Sequence, residues 1–338
     1  MEYKITSLFS PKVIMSIFDR RVAFKPFEYP EVIKFKEAIQ HSYWLISEFN
    51  FTSDIQDFNV SINAVEKSAL KNAMLAIAQI EVSVKMFWAK ISERFPKPEI
   101  TQVGIAFANS EIIHGDAYSH LLEVLGLNAE FDLLLQNPVI QNRVDYLSKY
   151  LKNNADTPRE LYTLTLTLFA IFVENVSLFS QFAIIKSFNK YKNLFKNIDN
   201  VIQATALEET LHAQFGIWLI NQIKKEFPTW FDEEFYEKIY KACRKACDAE
   251  IKIIDWIFEA GELEFIKKET LKEYIKDRFN ESMEAIGGKP IYRINAETLA
   301  PLKWMKEETL SEISGDFFYK RPVSYSSRQQ SITASDLF

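Results

Sequence analysis

Apolar residues recur at three- and four-residue intervals through most of the chain, and strict alternation bounded by turn residues is nowhere sustained. This pattern predicts helices over roughly 31–48, 62–94, 100–126, 131–153, 158–188, 190–226, 231–260 and 262–286. Pro96 and Pro98, Gly126, Pro228 and the Gly287-Gly288 pair punctuate them, and Asp156-Thr157-Pro158 reads as an N-cap followed by proline at the first helical position. Residues 1–30, with Pro11, Pro26 and Pro30, read as an irregular lead-in. After 290 the periodicity fades and serine becomes frequent, so 291–338 reads as a C-terminal segment ending in a flexible tail. One all-α domain over 31–290 is the expected organisation.

Composition agrees with helices. Only 8 Gly and 11 Pro occur among 338 residues, too few for the many tight corners of a β-sandwich or barrel. A net charge of -6 argues against a nucleic-acid backbone as partner. The N-terminus, MEYKITSLFS, has no charged-then-apolar leader pattern. The most apolar stretch, Leu161 to Val173, meets Glu174 well short of the ~20 residues that span a bilayer, so no membrane partner and a cytoplasmic setting are expected. Cys243 and Cys247, four apart among Lys, Arg and Asp, read as reduced thiols on a helix surface.

The chemistry lies in four glutamates that occupy positions where leucine would serve. Glu81 falls in the stripe Leu70, Met74, Ile77, Glu81, Val84, Trp88, and Glu111 in Phe107, Glu111, His114, Tyr118, Leu121, Leu125. Glu174 sits on the face Ile171, Glu174, Leu178, Phe182, Ile185, and Glu209 in Ile202, Thr205, Glu209, His212, Gly216, Leu219. A buried carboxylate must be neutralised, paired or metal-bound, because stripping its water costs several kcal/mol. Glu81 alone has an ordinary explanation in Lys85 at i+4. Glu174 has none, since no Lys or Arg lies between Ala170 and Leu178. Moreover, the order repeats: a lone Glu on one helix and Glu-x-x-His on the next, first as Glu81 then Glu111/His114, again as Glu174 then Glu209/His212. Residues three apart share a helix face, so each pair aims together. Four carboxylates and two imidazoles are the ligand set of di-iron and di-manganese four-helix bundles, and suit Fe or Mn better than a structural zinc.

These residues resemble the small, radical-generating subunit of class I ribonucleotide reductase, from about Tyr29 to Gly288 and again in the tail. The family's Glu-x-x-His-x-x-x-Tyr segment is matched by Glu111, His114 and Tyr118, and its acidic-Glu-x-x-His segment by Glu208, Glu209 and His212. Glu81 and Glu174 match the two lone carboxylates, and Trp44, 37 residues ahead of Glu81, matches the tryptophan that begins the family's electron path. Tyr325 in the tail matches the next member of that path, with Tyr319 as the alternative, and the closing SDLF has the acidic-then-apolar character of a docking terminus. The resemblance implies a ferritin-like bundle with a dinuclear Mn or Fe centre on Glu81, Glu111, His114, Glu174, Glu209 and His212. It implies reaction with oxygen or superoxide, and an oxidant held on the metals, on Tyr118 or on both. The electron would come from a cysteine of a large subunit through Tyr325 and Trp44. Homodimerisation and docking of the tail on the large subunit follow from the same resemblance.

Two positions depart from the family pattern, in which Asp is usual at both: Glu81, and Glu208 before the last ligand pair. In the family, one subclass with Glu at the first ligand replaces the tyrosine by Phe, which Tyr118 argues against, while a manganese-dependent subclass keeps the tyrosine, so the resemblance leans towards manganese. Glu208 is a candidate acceptor to orient a ligand histidine, and Leu178 and Phe182 are candidates to keep Tyr118 dry. Two rival readings use the same scaffold: a stand-alone dimetal oxidase or hydroxylase acting on a small apolar substrate, and a ferritin-type metal store, for which the chain is too long. Neither needs Trp44 or the tail.

Overall fold

Helix starts are set by side chains that satisfy otherwise unpaired backbone N–H groups. Asn63 and Glu66 form a reciprocal box at the head of one long helix, each side chain accepting from the other's N–H at 3.0 Å. Asp232 accepts from the Phe235 N–H at 2.8 Å and starts another. The structure, a computed structural model, describes residues 16–151 and 157–308, excepting the side chains of 82–85 and 147–151. Its main helices are α1 (Ile33–His41), α2 (Ala64–Ala89), α3 (Pro98–Val124), α4 (Pro138–Leu151), α5 (Arg159–Lys192), α6 (Lys196–Glu226), α7 (Glu233–Ile257) and α8 (Lys268–Ala285). Among the described residues there is no strand.

Helix α2 packs along α3, α6 along the middle of α5, and α6 also meets α3, which closes a four-helix, ferritin-like core. Helix α1 covers α3, while α7 and α8 pack against each other and against α4 and α5. Two close approaches fix the core. A Cβ on Gly216 of α6 would stand 2.3 Å from the Ala170 Cβ, so glycine is what lets α6 reach α5. Gly126 has a φ of 71° and ends α3, with the Leu127 N–H returning to the Leu122 carbonyl at 2.8 Å.

Several boundaries differ from the sequence expectation. The first helix stops at His41, leaving Ser42 to Leu45 outside any helix before a short turn at Ile46–Glu48. Pro158 stands at the N-cap of α5 rather than at its first helical position, and no side chain caps it. The junction expected at 188–190 falls at 193–195, where Asn193 and Phe195 are left-handed at φ 56° and 58°. That corner is held from a distance: Asp57 accepts the Phe195 N–H at 3.0 Å, and buried Asp54 accepts those of Asn197 and Ile198 at 2.9 Å each. Asp54 therefore caps α6 from another part of the chain.

Helix α5 runs through Glu174, and its apolar character continues beyond Val173, the expected end of the most apolar stretch. Its 34 residues are long and apolar enough by composition to cross a bilayer, yet 94% of the most apolar window is buried inside the molecule. It is core. From Phe169 to Ser177 it is π-helical, and the Ser177 hydroxyl donates to the Phe172 carbonyl five residues back at 2.9 Å. The two cysteines also correct the sequence reading: Cys243 and Cys247 are buried on the inner face of α7 with Ile239, Ala246 and Ile253. Burial pushes both thiols up, Cys247 to about 11, which makes them packing groups rather than reactive ones.

Candidate metal centre

The four core helices each bring ligand-type side chains to one point. Glu81 comes from α2, Glu111 and His114 from adjacent turns of α3, Glu174 from the π-helical stretch of α5, and Glu209 and His212 from α6. All six are at most 2% exposed. His114 Nδ1 lies 3.1 Å from Glu209 Oε1 and 3.5 Å from Glu111 Oε2. His212 Nδ1 lies 3.0 Å from Glu111 Oε1, 3.4 Å from Glu209 Oε2 and 3.7 Å from Glu174 Oε2. Two sets of converging atoms result, one of Glu81, His114 and Glu209, the other of Glu111, Glu174, Glu209 and His212. Glu209 belongs to both, and Glu111 faces both imidazoles.

The outward nitrogens of the two rings fix their roles. His114 Nε2 sits 2.7 Å from Glu208 Oε2, and Glu208 also receives the Ser42 hydroxyl at 3.1 Å. His212 Nε2 sits 3.0 Å from Ser110 Oγ, whose only proton goes to the Phe107 carbonyl at 2.8 Å. Each Nε2 therefore donates outward, and each Nδ1 faces inward, where it holds a proton or, once that proton leaves, offers a lone pair to a metal ion. Neither Nδ1 completes a hydrogen bond, nor does any oxygen of Glu81 or Glu111. Shared protons offset only part of the negative charge, and divalent ions fit the donor set well. The Trp88 indole N–H donates to Glu174 Oε1 at 2.8 Å and fixes that carboxylate, while the ring of Phe107, 4.2 Å from that of His212, walls off the same side.

Burial pushes the Glu81 carboxyl well above the ordinary range, with the imidazole of His114 opposing and the charges of Glu111 and Glu209 adding to the rise. Glu174 moves the same way, burial leading. In Glu209 burial also works against the charge, but His114 and His212 outweigh it and hold the carboxyl well below the usual carboxylate range. Burial disfavours the imidazolium forms too, yet the surrounding carboxylates raise both histidines well above their ordinary value. The cluster is short of positive charge and retains protons to make up the deficit, which an incoming ion would release.

Tyr118 lies one turn beyond His114 on α3, 1% exposed, with no hydrogen bond to its hydroxyl. Burial first and the Glu81 charge second push its pKa up. Leu178 and Phe182 are buried in the core. The surroundings of Tyr118 are not wholly sealed, however, because a cavity of about 270 Å³ reaches it between Ala78, Leu122 and Phe131. Trp44 is buried with its ring stacked against His114, centroids 6.2 Å apart, and its indole N–H is unbonded. Tyr325, Tyr319 and the SDLF terminus lie outside the described residues, as does the side chain of Lys85. Sequence reasoning named Glu208 as an acceptor but missed Ser42, Ser110 and the role of Trp88. Trp88 carried a signal, since it lies on the Glu81 stripe; the serines carried none.

A family profile described as ribonucleotide reductase, small chain, matches residues 21–298. The chain belongs to that family. It is 25% identical over 320 residues to the protein named probable ribonucleoside-diphosphate reductase small subunit 048L of Invertebrate iridescent virus 3, covering 90% of this chain and 84% of that one. Its fold matches a crystal structure described as a putative class I ribonucleotide reductase from Bacillus halodurans, with a TM-score of 0.75 at 18% identity over 82% of this chain and 99% of that one. It also matches the dimanganese(II) form of NrdF from Streptococcus sanguinis, with a TM-score of 0.73 at 14% identity over 88% and 100%. Small subunits of class I ribonucleotide reductases work with a large subunit, usually as homodimers. The membership accounts for a buried carboxylate–histidine cluster in a ferritin-like core, and the rival oxidase reading has no better support.

Proposed function

We propose that Glu81, Glu111, His114, Glu174, Glu209 and His212 hold two divalent metal ions, manganese by preference, and that the chain makes and keeps the oxidant that its large subunit uses to reduce ribonucleotides. The observation that carries this reading is the pair of inward Nδ1 atoms, tethered from behind by Glu208 and Ser110 and facing buried carboxylates that pair with no Lys or Arg among the described residues. Two bound ions would supply the one-electron oxidising capacity.

The protein's own groups do the rest. Glu208 and Ser110 accept from the outer Nε2–H groups and keep the imidazoles aimed. Trp88 fixes Glu174, and the Phe107 and Trp88 rings exclude water beside His212. Tyr118 is held protonated by burial and by the Glu81 charge, so oxidising it removes an electron and a proton together. Trp44, stacked on His114, offers a route inward for the electron that Tyr325 in the tail would take from the partner. Glutamate at position 81 and an all-oxygen-and-imidazole ligand set support manganese.

Ending the chain at Pro322 removes Tyr325 and SDLF while leaving the helical body whole. Deoxyribonucleotide formation with a large subunit should fall roughly a hundredfold or more, since each 1.4 kcal/mol of docking energy lost is tenfold. Metal content should not change. Undiminished turnover would refute the docking role. In the same assay, Tyr118→Phe separates the two seats of the oxidant: lost turnover places it on the tyrosine, full turnover on the metals.

A further inference from the structure

The cavity of about 270 Å³ beside Tyr118 has a graded lining. Asp116, Ser119 and Asn128 stand exposed at its mouth, and Ala78, Glu81 and Tyr118 form its buried floor. Glu81 is 2% exposed and neither of its oxygens has a hydrogen-bond partner. We propose that this cavity is the vestibule through which a hydrated divalent cation reaches the cluster, met by Asp116 and delivered to Glu81.

Three features select a cation over other small visitors. The mouth offers one carboxylate with a hydroxyl and an amide oxygen, the donors that hard divalent ions prefer. The space holds an ion with several waters, at ~30 Å³ of liquid volume per water, so dehydration need not precede passage. Among the described lining residues the only acidic side chains are the carboxyls of Asp116 at the mouth and Glu81 at the floor, and no Lys or Arg stands among them, which favours a cation over an anion such as superoxide. Glu81 fits the role of receiving group because it belongs to only one of the two ligand sets, whereas Glu209 serves both.

The inference rests on the metal-site reading, and uptake kinetics separate the two. Free Mn(II) is followed by its paramagnetic resonance signal after mixing with metal-free full-length protein at low ionic strength. Asp116→Asn keeps the shape of an exposed residue and should slow uptake roughly threefold, with the difference fading as salt rises. Ala78→Leu, which fills the floor, should slow it at least tenfold. Both should reach the wild-type metal content at long times. Uptake by Asp116→Asn at the wild-type rate overturns the vestibule whatever Ala78→Leu does. Loss of final metal content in Asp116→Asn also overturns it, because Asp116 would then be a ligand. Wild-type protein that takes up no manganese or iron refutes the metal site itself, and the vestibule with it.

Discussion

Glu209→Ala should abolish binding of both metal ions, whereas Glu81→Ala should leave one. Glu209 contributes an oxygen to each set of converging atoms, lying 3.1 Å from His114 Nδ1 and 3.4 Å from His212 Nδ1. Without it the first set keeps only Glu81 and His114 and the second loses its link to the first. Without Glu81, the group of Glu111, Glu174, Glu209 and His212 is untouched. Metal analysis after equilibration with manganese reads the difference directly. Thermal unfolding gives a second readout that does not depend on turnover. A site held at a hundred times its Kd adds about 2.7 kcal/mol, roughly 4 °C in a chain of this size. Manganese should therefore raise Tm most in the wild type, about half as much in Glu81→Ala and little in Glu209→Ala. A Glu209→Ala protein that still takes up both ions would show that the two sets are independent sites.

The helices and the six converging residues were legible because each signal was local. A carboxylate inside an apolar stripe stands out within its own helix, and Glu-x-x-His fixes two side chains on one face by geometry alone. What escaped depends on distant parts of the chain. The corner at Asn193–Phe195 has no glycine or proline to announce it and exists because Asp54 and Asp57 reach it from more than 130 residues away. The π-helical turns that carry Glu174 look like any apolar helix in sequence, and the wider backbone turn from Phe169 to Ser177 shows only in the fold, where the Ser177 hydroxyl also bonds Phe172. Ser42 reaches Glu208 because helix α1 stops early, again a tertiary outcome. The cysteines misled because their sequence neighbours are charged, although Ile239, Cys243, Ala246, Glu250 and Ile253 line one face of α7. Glu250 on that face is a buried carboxylate of another kind, since it has a cation of its own.

Arg143→Met should cost about 3–5 kcal/mol in chemical denaturation of the metal-free protein, the penalty of stranding one partner of a buried ion pair. The Arg143 guanidinium is fully buried, with Nε 3.2 Å and Nη2 3.4 Å from the two oxygens of Glu250. Burial raises the Glu250 carboxyl and Arg143 opposes the rise, so removing Arg143 sends it higher. A carboxyl raised in the folded state costs stability above its unfolded pKa, and the cost disappears as pH falls and the group takes up its proton. The deficit of the variant relative to wild type should thus be largest at neutral pH and shrink towards pH 5. Adding Glu250→Leu should recover most of the stability by replacing the stranded charge with packing. It should not recover everything. Arg143 also donates to the Ala76 carbonyl on α2 at 3.1 Å and to the Ser177 carbonyl at the end of the π-helical stretch at 2.5 Å, tying the helix of Glu81 to that of Glu174. No apolar pair replaces that tie. The double variant should therefore unfold close to, though short of, the wild type and bind manganese more weakly, and equal affinity in the two would show that the guanidinium only balances charge.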